Sequence, residues 1–487
     1  MMSFRGSAFS ARLALVISIM LGVGELGAVP AVWDLSALDS FAPAVMRKRE
    51  IGGLQVCISD RTRSECFVYG VRDTDRNPVT VQTYFMAAGL MQPITALSAL
   101  DVAQKSGKRL SDVVFESNGA QVTLEQLLTQ TSGFAVARAS FVAGSKLPDI
   151  VPLIESTPGK AYLATAGNYA VLSQRIVDWG GQDFTKAVSN HARASGLELV
   201  AKQEGYFLFS PGTSVEERAQ GVAAPGSKVF MIELPETAVP GWDGLWTTAK
   251  GYATYLRSIS SLRGKELFKP LFQYHPDLGG SVPGFHLMKD RCGFQVLRVE
   301  GQRGGFFSFA TLFEDGRSIV VLGNAPHPEA GRELYQFIRQ FVWKETCEVQ
   351  TTLSPDDGLE GFYRARQRLP SGLGWLGFLQ DIKIQKGEQG LELLGMFEGK
   401  SAVHWIPISQ DLYVARGSAA MDGWTIRVER NADGTPSGFA SDLASYKKIP
   451  AILSVRAMPV LLAFALFIML AALLVFLSLK KKRSQNG

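Results

Sequence analysis

The sequence has 487 residues, of which 46% are hydrophobic, and its formal net charge is +5. A chain of this length can bury a large core and form two or three domains. Four consecutive basic residues lie at positions 480–483, so the rest of the chain is nearly neutral and lacks the basic surface that nucleic-acid binding requires.

The amino-terminal segment has the composition of a secretory signal peptide. Two arginines precede an apolar stretch at residues 13–23, and small side chains suited to cleavage follow near Ala28. The alternative is an uncleaved membrane anchor, but Glu25 ends the apolar stretch too early for a full membrane span. We therefore predict a signal peptide over residues 1–28 and a body outside the cytoplasm.

The elements that follow indicate an α+β fold. The stretch GGLQVCISDRTRSECFVYGVRD alternates apolar and polar residues around a turn, which predicts a β-hairpin. Apolar residues at helical spacing predict helices at residues 95–107, 123–128, 166–181 and 247–261. The later stretches GFQVLRVEG and GGFFSFATLFEDGRSIVVLGN predict strands, and EAGRELYQFIRQFVWKE predicts a closing helix. Strands at both ends favour a β-sheet with a helical insertion, in one domain over residues 32–347.

Four cysteines are present, and an exported body permits disulfides. Cys57 and Cys66 flank the turn of the predicted hairpin and are expected to pair across it, which leaves Cys292 and Cys347 as a second pair. Four buried thiols are the alternative. Because no CxxC motif occurs and the five histidines are scattered, we expect no metal site and no cofactor.

The carboxyl-terminal part of the chain has a different pattern. Short strands between Gly, Asp and Pro turns predict a small antiparallel β domain at residues 351–448, with a joint at 446–450. Residues 459–479 carry no charge and, at about 1.5 Å per residue, can cross a hydrocarbon core of about 30 Å. We predict a single transmembrane helix over 457–479 and a basic cytoplasmic tail over 480–487.

Five stretches, in order and at matching spacing, resemble the serine β-lactamase-like family of class C β-lactamases, D-alanyl-D-alanine carboxypeptidases and related esterases. They are NPVTVQTYFMAAG with QPITALSALDVAQKSGKRLSDVV, VTLEQLLTQTSGF, PGKAYLATAGNYAVLSQRIVDWGGQDF, GWDGLWTTAKGYATYL and EGQRGGFFSFATLFEDGRSIVVLGN. The resemblance implies the family's α+β fold over about residues 45–345. The stretch GLEGFYRARQR is also similar to a β extension of some membrane-anchored members.

The family's chemistry uses a serine nucleophile three residues before a lysine, so that both share one helix face. In this chain the PITAL run fixes the register and places Gln92 at the lysine position and Gly89 at the serine position. Glycine offers no nucleophile, and an amide is not a base at neutral pH. Gln130 stands where the family has a histidine in its LLtHtSG motif, outside the chemical cluster.

Two further motifs of the family complete its polar cluster, and both have lost those residues here. In the first, Ala164 and Ala166 replace the tyrosine and asparagine of Tyr-Ser-Asn. In the second, Val299 and Gly301 stand at the ends of the His-x-Gly motif, so that the histidine is replaced. Tyr162 lies two positions from the tyrosine position and could substitute for it in part, but the serine partner would still be absent.

No other nucleophile is expected. Ser98 lies on the same helix among apolar neighbours, which favours a structural role. The scattered histidines do not define a Ser-His-Asp arrangement, so we interpret them as surface or core residues.

These losses favour a catalytically inactive member of the family. The residues expected to line its vestigial cleft are Gly89, Gln92, Ala164, Ala166, Val299 and Gly301. Because Ala164 and Val299 are apolar, we expect this cleft either to be filled or to form an apolar pocket. The predicted function is binding of an envelope protein or of a ligand in the cleft, at a membrane. The alternatives are a serine-hydrolase-type enzyme with non-standard residues and a structural subunit of a membrane complex.

Overall fold

A computed structural model of the chain describes residues 33–134, 154, 156–203, 206–210, 218–223, 230–231, 241–289, 293–345, 358–366, 381–387, 390–394, 404–416, 424–442 and 444–454. The predicted signal peptide, the predicted transmembrane segment, Cys292 and Cys347 lie outside these residues. No helix within the described ranges has both the length and the apolar character needed to span a bilayer.

A seven-stranded antiparallel sheet forms the centre of the larger domain. Its strand order is β11-β12-β13-β14-β15-β1-β2, so that the first hairpin of the domain pairs with its last strands. The strands are β1 (Gly53–Ser59), β2 (Ser64–Gly70), β11 (Gly280–Val282), β12 (Phe285–Lys289), β13 (Gln295–Arg303), β14 (Phe306–Phe313) and β15 (Ser318–Gly323). This order confirms the prediction of a sheet whose two ends enclose an insertion.

The helices lie on both sides of this sheet and in the insertion. They are α1 (Ser36–Lys48), α2 (Met91–Lys105), α3 (Leu124–Leu128), α4 (Ala166–Gly180), α5 (Phe184–Ala194), α6 (Ala249–Arg263) and α7 (Pro328–Phe337), which a π-helical turn extends over Ile338–Val342. The insertion also carries the short strands β3 (Phe85–Ala88), β4 (Val113–Ser117), β5 (Ala120–Thr123), β6 (Glu198–Gln203), β7 (Tyr206–Ser210), β8 (Val222–Ala223), β9 (Phe230–Met231) and β10 (Leu245–Thr247).

Local sequence signals explain where these helices begin and end. Thr123 and Gln126 form a reciprocal capping box at the start of α3, and the Thr165 hydroxyl caps α4. Helix α4 ends at Gly180 and is followed by Gly181, whose φ of 58° suits a residue without a side chain. Helix α2 begins at Met91, earlier than the apolar spacing predicted, since a proline in the first turn gives up no intrahelical hydrogen bond.

The sheet is buried on both faces. One core lies between the sheet and helices α2, α4, α5 and α6, and a second lies between the sheet and helices α1 and α7. Every residue of β1, β14 and β15 is buried, which explains the long apolar runs in the sequence of these strands. The hairpin β1–β2 places Cys57 opposite Cys66, and the predicted disulfide between them is confirmed.

The carboxyl-terminal β domain is an eight-stranded closed barrel. Its strands are β16 (Gly361–Ala365), β17 (Ile382–Gly387), β18 (Gly390–Leu394), β19 (His404–Pro407), β20 (Leu412–Arg416), β21 (Thr425–Arg430), β22 (Pro436–Ser441) and β23 (Ser445–Ile449). The prediction of an antiparallel β domain is confirmed. The predicted joint at 446–450 is wrong, because β23 pairs with β16 over those residues and closes the barrel.

One end of the barrel packs against the larger domain. Arg427 near the start of β21 donates to Asp277 at 3.0 Å, and Asp442 after β22 accepts a hydrogen bond from the Gly279 amide at 2.6 Å. Trp424, just before β21, contacts the His286 ring edge-on with centroids 5.5 Å apart. These contacts bring barrel residues to the rim of the site described next.

Candidate functional site

The positions that resemble the family's reactive residues meet in one cleft. Its volume is about 380 Å³, and its walls come from the start of α2, the segment before α4, strand β13 and the barrel. Five of the six residues expected in a vestigial cleft line it, namely Gly89, Gln92, Ala164, Val299 and Gly301. Ala166 is the first residue of α4 and is not among the lining residues.

Position 89 has no room for a side chain. A Cβ built on Gly89 would lie 2.2 Å from the carbonyl oxygen of Glu300 and 3.2 Å from the Cα of Gly301. In the other direction, a Cβ built on Gly301 would lie 2.2 Å from the Gly89 amide nitrogen and 2.8 Å from the Ser308 hydroxyl. The backbone of β13 therefore occupies the space into which a nucleophile at position 89 would project.

The junction before α2 is held in this place by buried hydrogen bonds. The Ser308 hydroxyl on β14 donates to the carbonyl oxygen of Ala87 at 2.8 Å. The Tyr252 hydroxyl on α6 donates to the carbonyl oxygen of Leu90 at 3.0 Å. Because both donors belong to buried elements of the core, the close contact between Gly89 and β13 is fixed from two sides.

Side-chain amides form the hydrogen-bond network around Gln92, which stands at the family's lysine position. Gln130, which has a φ of 59°, donates through its Nε2 to the Gln92 side-chain oxygen at 3.4 Å. The Gln130 side-chain oxygen accepts from the Thr165 amide at 2.9 Å and from the Asn168 side chain at 3.2 Å. Gln130 therefore links α2 to the start of α4 across the cleft floor. None of these amides ionises, so this network transfers no proton at neutral pH.

The cleft is open, so the first of the two expected outcomes, a filled cleft, is not what the structure has, and its lining combines apolar residues with charged ones. Glu300 accepts hydrogen bonds from Arg298 on its own strand and from Arg332 on α7, the latter through two nitrogens at 3.1 and 2.6 Å. Burial alone would raise the pKa of Glu300, but the two guanidinium groups hold it below its usual value. Glu300 is the middle residue of Val299-Glu300-Gly301, of which only the two ends were predicted from the sequence to line the cleft.

Strand β12 and the barrel contribute polar groups to the cleft that were not expected from the sequence. His286 and Trp424 line the cleft, and the His286 Nε2 lies 3.8 Å from the Asp442 carboxylate. Burial, with the nearby charge of Arg298, lowers the pKa of His286 to about 3, so the ring is neutral. Burial raises the pKa of Asp442 to about 6, although hydrogen bonds from Thr425 and Gly279 oppose that rise.

Two tyrosines complete the wall on the opposite side. Tyr162, which the sequence analysis named as a partial substitute, lines the cleft, and burial raises its pKa to about 12. Tyr169 is fully buried, packs against Trp242 with ring centroids 5.5 Å apart, and its hydroxyl has no hydrogen-bond partner within the described structure. Burial also raises the pKa of Tyr169 well above its usual value, so both hydroxyls stay protonated.

A second cavity, of about 220 Å³, brings Ser98, Asp101 and His191 together on the side of α2 and α5. The His191 ring lies 2.8 Å from Asp101 and 3.3 Å from the Tyr255 hydroxyl, so both ring nitrogens have partners. The Ser98 hydroxyl donates to the carbonyl oxygen of Ile94 at 2.6 Å. Ser98 and His191 are therefore hydrogen-bonded to different partners and not to each other, so this arrangement provides no activated nucleophile. Within the described residues no cluster of His, Cys, Asp and Glu side chains could hold a metal ion.

Comparisons with known proteins agree with this architecture. The β-lactamase family model matches residues 38–342, which is more than half of the chain. No curated protein matches the chain. Similar solved structures include SurE, with 16% identity, a TM-score of 0.54 and coverage of 85% of this chain and 98% of that one. The octameric penicillin-binding protein homologue from Pyrococcus abyssi has 15% identity and a TM-score of 0.52, with coverage of 85% and 100%.

A further structure, SurE with D-Leu, has 17% identity and a TM-score of 0.51, with coverage of 85% of this chain and 99% of that one. At these identities the likeness shows the fold alone. The structural match covers more of this chain than the family model does, so the structural similarity extends beyond the larger domain. Strand order, the cleft and the family match lead to one conclusion: the chain belongs to the β-lactamase family.

Proposed function

We propose that this chain is a non-catalytic member of the β-lactamase family, anchored to a membrane, which binds a ligand or an envelope protein through its cleft. The observation that carries the proposal is the contact between Gly89 and β13. A carbonyl oxygen 2.2 Å from the Cβ position of residue 89 leaves no space for a serine hydroxyl. The position of the β13 backbone, in addition to the lack of a side chain at Gly89 itself, therefore excludes a nucleophile at residue 89.

Ligand binding is supported by polar atoms that have no partner in the described structure. Three groups that line the cleft each have a buried, unpaired atom: the Tyr169 hydroxyl, the His286 Nε2 and the Trp424 Nε1. A buried polar group without a partner costs about 1–3 kcal/mol. A ligand that supplies the missing hydrogen bonds recovers that cost on binding. A cleft of about 380 Å³ also lies within the size range of small-molecule sites.

The proposed anchor rests on the uncharged segment at 459–479 and on the basic residues after it. With a cleaved signal peptide before the body, the cleft would face the outer side of the membrane. An envelope protein is then the accessible macromolecular partner.

The test for catalysis uses the full chain, purified in mild detergent, with a fluorescent penicillin and with chromogenic esters. We expect no covalent adduct and no turnover above that of a heat-denatured sample, while an active serine β-lactamase run in parallel is labelled. A stable adduct at any residue, or saturable turnover, would support the alternative of an enzyme with non-standard residues and contradict the proposal.

The test for ligand binding uses the unpaired hydroxyl of Tyr169. D-Leu is the first probe, because one similar structure was determined with it. Tyr169→Phe removes only the hydroxyl, so we expect the free protein to become slightly more stable and the thermal shift caused by the probe to shrink. The matched control is Tyr252→Phe, whose hydroxyl is already bonded to Leu90, and which should destabilise the free protein. A shift that Tyr169→Phe leaves unchanged would place the ligand elsewhere.

The remaining alternative is a structural subunit of a membrane complex. Affinity purification in mild detergent distinguishes it: a stoichiometric partner that survives deletion of the Tyr169 hydroxyl and of the Trp424 side chain would favour that role over cleft binding.

A further inference from the structure

The exposed apolar residues at the end of the barrel are concentrated where the chain leaves it. Residues 450–453 are all apolar and all exposed, and within them Ile452 is 60% exposed and Leu453 is 58% exposed. Single exposed apolar side chains are common on soluble proteins, but a consecutive group of four indicates a surface that contacts something apolar.

Several backbone polar groups of this turn are paired. The Leu453 amide donates to the carbonyl oxygen of Pro450 at 2.9 Å, and the Ser454 amide donates to that of Ala451 at 3.1 Å. The Arg364 side chain donates to the carbonyl oxygen of Leu453 at 2.6 Å while it is held by the carboxylate of Asp381. Paired backbone groups and projecting apolar side chains are what insertion at a lipid interface requires.

The topology of the barrel places a third apolar side chain at the same end. Neighbouring strands of a closed antiparallel barrel alternate in direction, so the turn after β19 lies at the end where β23 finishes. Ile408 occupies this turn and is 39% exposed. The same alternation places Trp424 and Asp442, which contact the larger domain, at the opposite end.

The sequence after the turn restricts what this end can face. Only four residues, 455–458, separate Ser454 from the start of the uncharged segment at residue 459. The five residue-to-residue steps, at about 3.5 Å each, reach at most about 18 Å. If the segment spans a bilayer, the apolar end of the barrel lies within that distance of its surface.

We propose that this end of the barrel docks on the bilayer through Ile408, Ile452 and Leu453, and that the barrel is a spacer between the membrane and the cleft. The partner is the interfacial region of the lipid bilayer. Strands of five or six residues are about 17–20 Å long, and because barrel strands tilt by about 35–45° the barrel holds the larger domain somewhat less than that length above the surface. This inference rests on the proposed membrane anchor.

The experiment uses the full chain in phosphatidylcholine–phosphatidylglycerol nanodiscs, with the photoreactive residue p-benzoylphenylalanine at one position at a time. The test positions are Ile408, Ile452 and Leu453. After irradiation, mass spectrometry measures the fraction of protein carrying a lipid adduct. Leu262 on α6 and Val113 on β4 are the matched controls, since they are 65% and 49% exposed but belong to the larger domain.

We expect lipid adducts at the three test positions to exceed those at both controls by about fivefold or more, because a docked residue lies in the headgroup region. Position Leu470, in the middle of the uncharged segment, reports on the anchor itself. Adducts at Leu470 without adducts at Ile452 and Leu453, or with Ile408 unlabelled, would overturn the docking and leave the anchor intact.

Absence of adducts at Leu470 would overturn the anchor and, with it, this inference. Protein crosslinks at Ile452 and Leu453 in place of lipid adducts would assign the surface to a protein partner and overturn the proposal as well.

Discussion

Restoring the lost nucleophile tests the reasoning about the cleft most directly. The perturbation is Gly89→Ser combined with Gln92→Lys, which recreates the family's serine and lysine positions. A Cβ at position 89 would approach the Glu300 carbonyl oxygen to 2.2 Å, about 1 Å closer than a van der Waals contact allows. The obstructing atoms are backbone atoms of β13, which pairs with β14 at Glu300 and Gly301 and with β12 up to Arg298, so they cannot move without their neighbours.

The expected cost is at the upper end of the range for overpacking, about 3 kcal/mol. Thermal unfolding of the full chain, followed by circular dichroism, should show a melting temperature lower by about 5 °C. Gly180→Ser is the matched control, since a Cβ there meets only ordinary contacts of 3.4 Å or more and the φ is compatible with any residue. We also expect no labelling of the double variant by fluorescent penicillin. A double variant as stable as the original protein that takes up penicillin would refute the argument that β13 excludes a nucleophile.

Three further predictions follow from the charges near the cleft and from the disulfide of the first hairpin. His286 has a pKa of about 3 in place of its usual 6.5, so its burial destabilises the fold as pH falls, whereas Asp442, with a pKa of about 6 in place of 3.8, stabilises it as pH falls. Between pH 4 and 6 the two effects oppose each other. Asp442→Asn should therefore lose stability on acidification and His286→Gln should gain it, by up to about 1.4 kcal/mol per pH unit. Denaturant unfolding at several pH values measures both, and the same dependence of unfolding free energy on pH in the two variants would contradict this prediction. Glu300→Gln leaves two arginines without a carboxylate and should cost about 3 kcal/mol in the same assay, and an unchanged unfolding midpoint would show that the arginines find other partners. Replacing Cys57 and Cys66 by serine opens a short loop and should lower stability by about 2–3 kcal/mol, and the same loss on adding reductant to the original protein is the control; no loss in either sample would contradict a formed disulfide.

Periodicity and local turn signals predicted most of the larger domain, because they depend on neighbouring residues. The alternation around Cys57 and Cys66 predicted the hairpin, and Gly181 predicted the end of α4. The apolar runs of β14 and β15 predicted buried strands. In the barrel, the short strands were predictable but their closure was not, since the pairing of β16 with β23 joins residues far apart in sequence.

The residues at the family's reactive positions can be read from the sequence, because PITAL and its counterparts fix the register one residue at a time. The consequence of those replacements depends on contacts that form only in the folded chain. The contact between Gly89 and Gly301 joins segments from distant parts of the chain, and so does the ion pair of Glu300 with Arg332 beside Arg298. The unpaired atoms of Tyr169 and Trp424 also belong to distant segments that meet only in the cleft. Glycine at position 89 indicates a missing nucleophile, whereas the carbonyl oxygen 2.2 Å from its Cβ position shows that the sheet has taken up the space. Packing density, which depends on all neighbours at once, is the physical reason that this could not be predicted from the sequence.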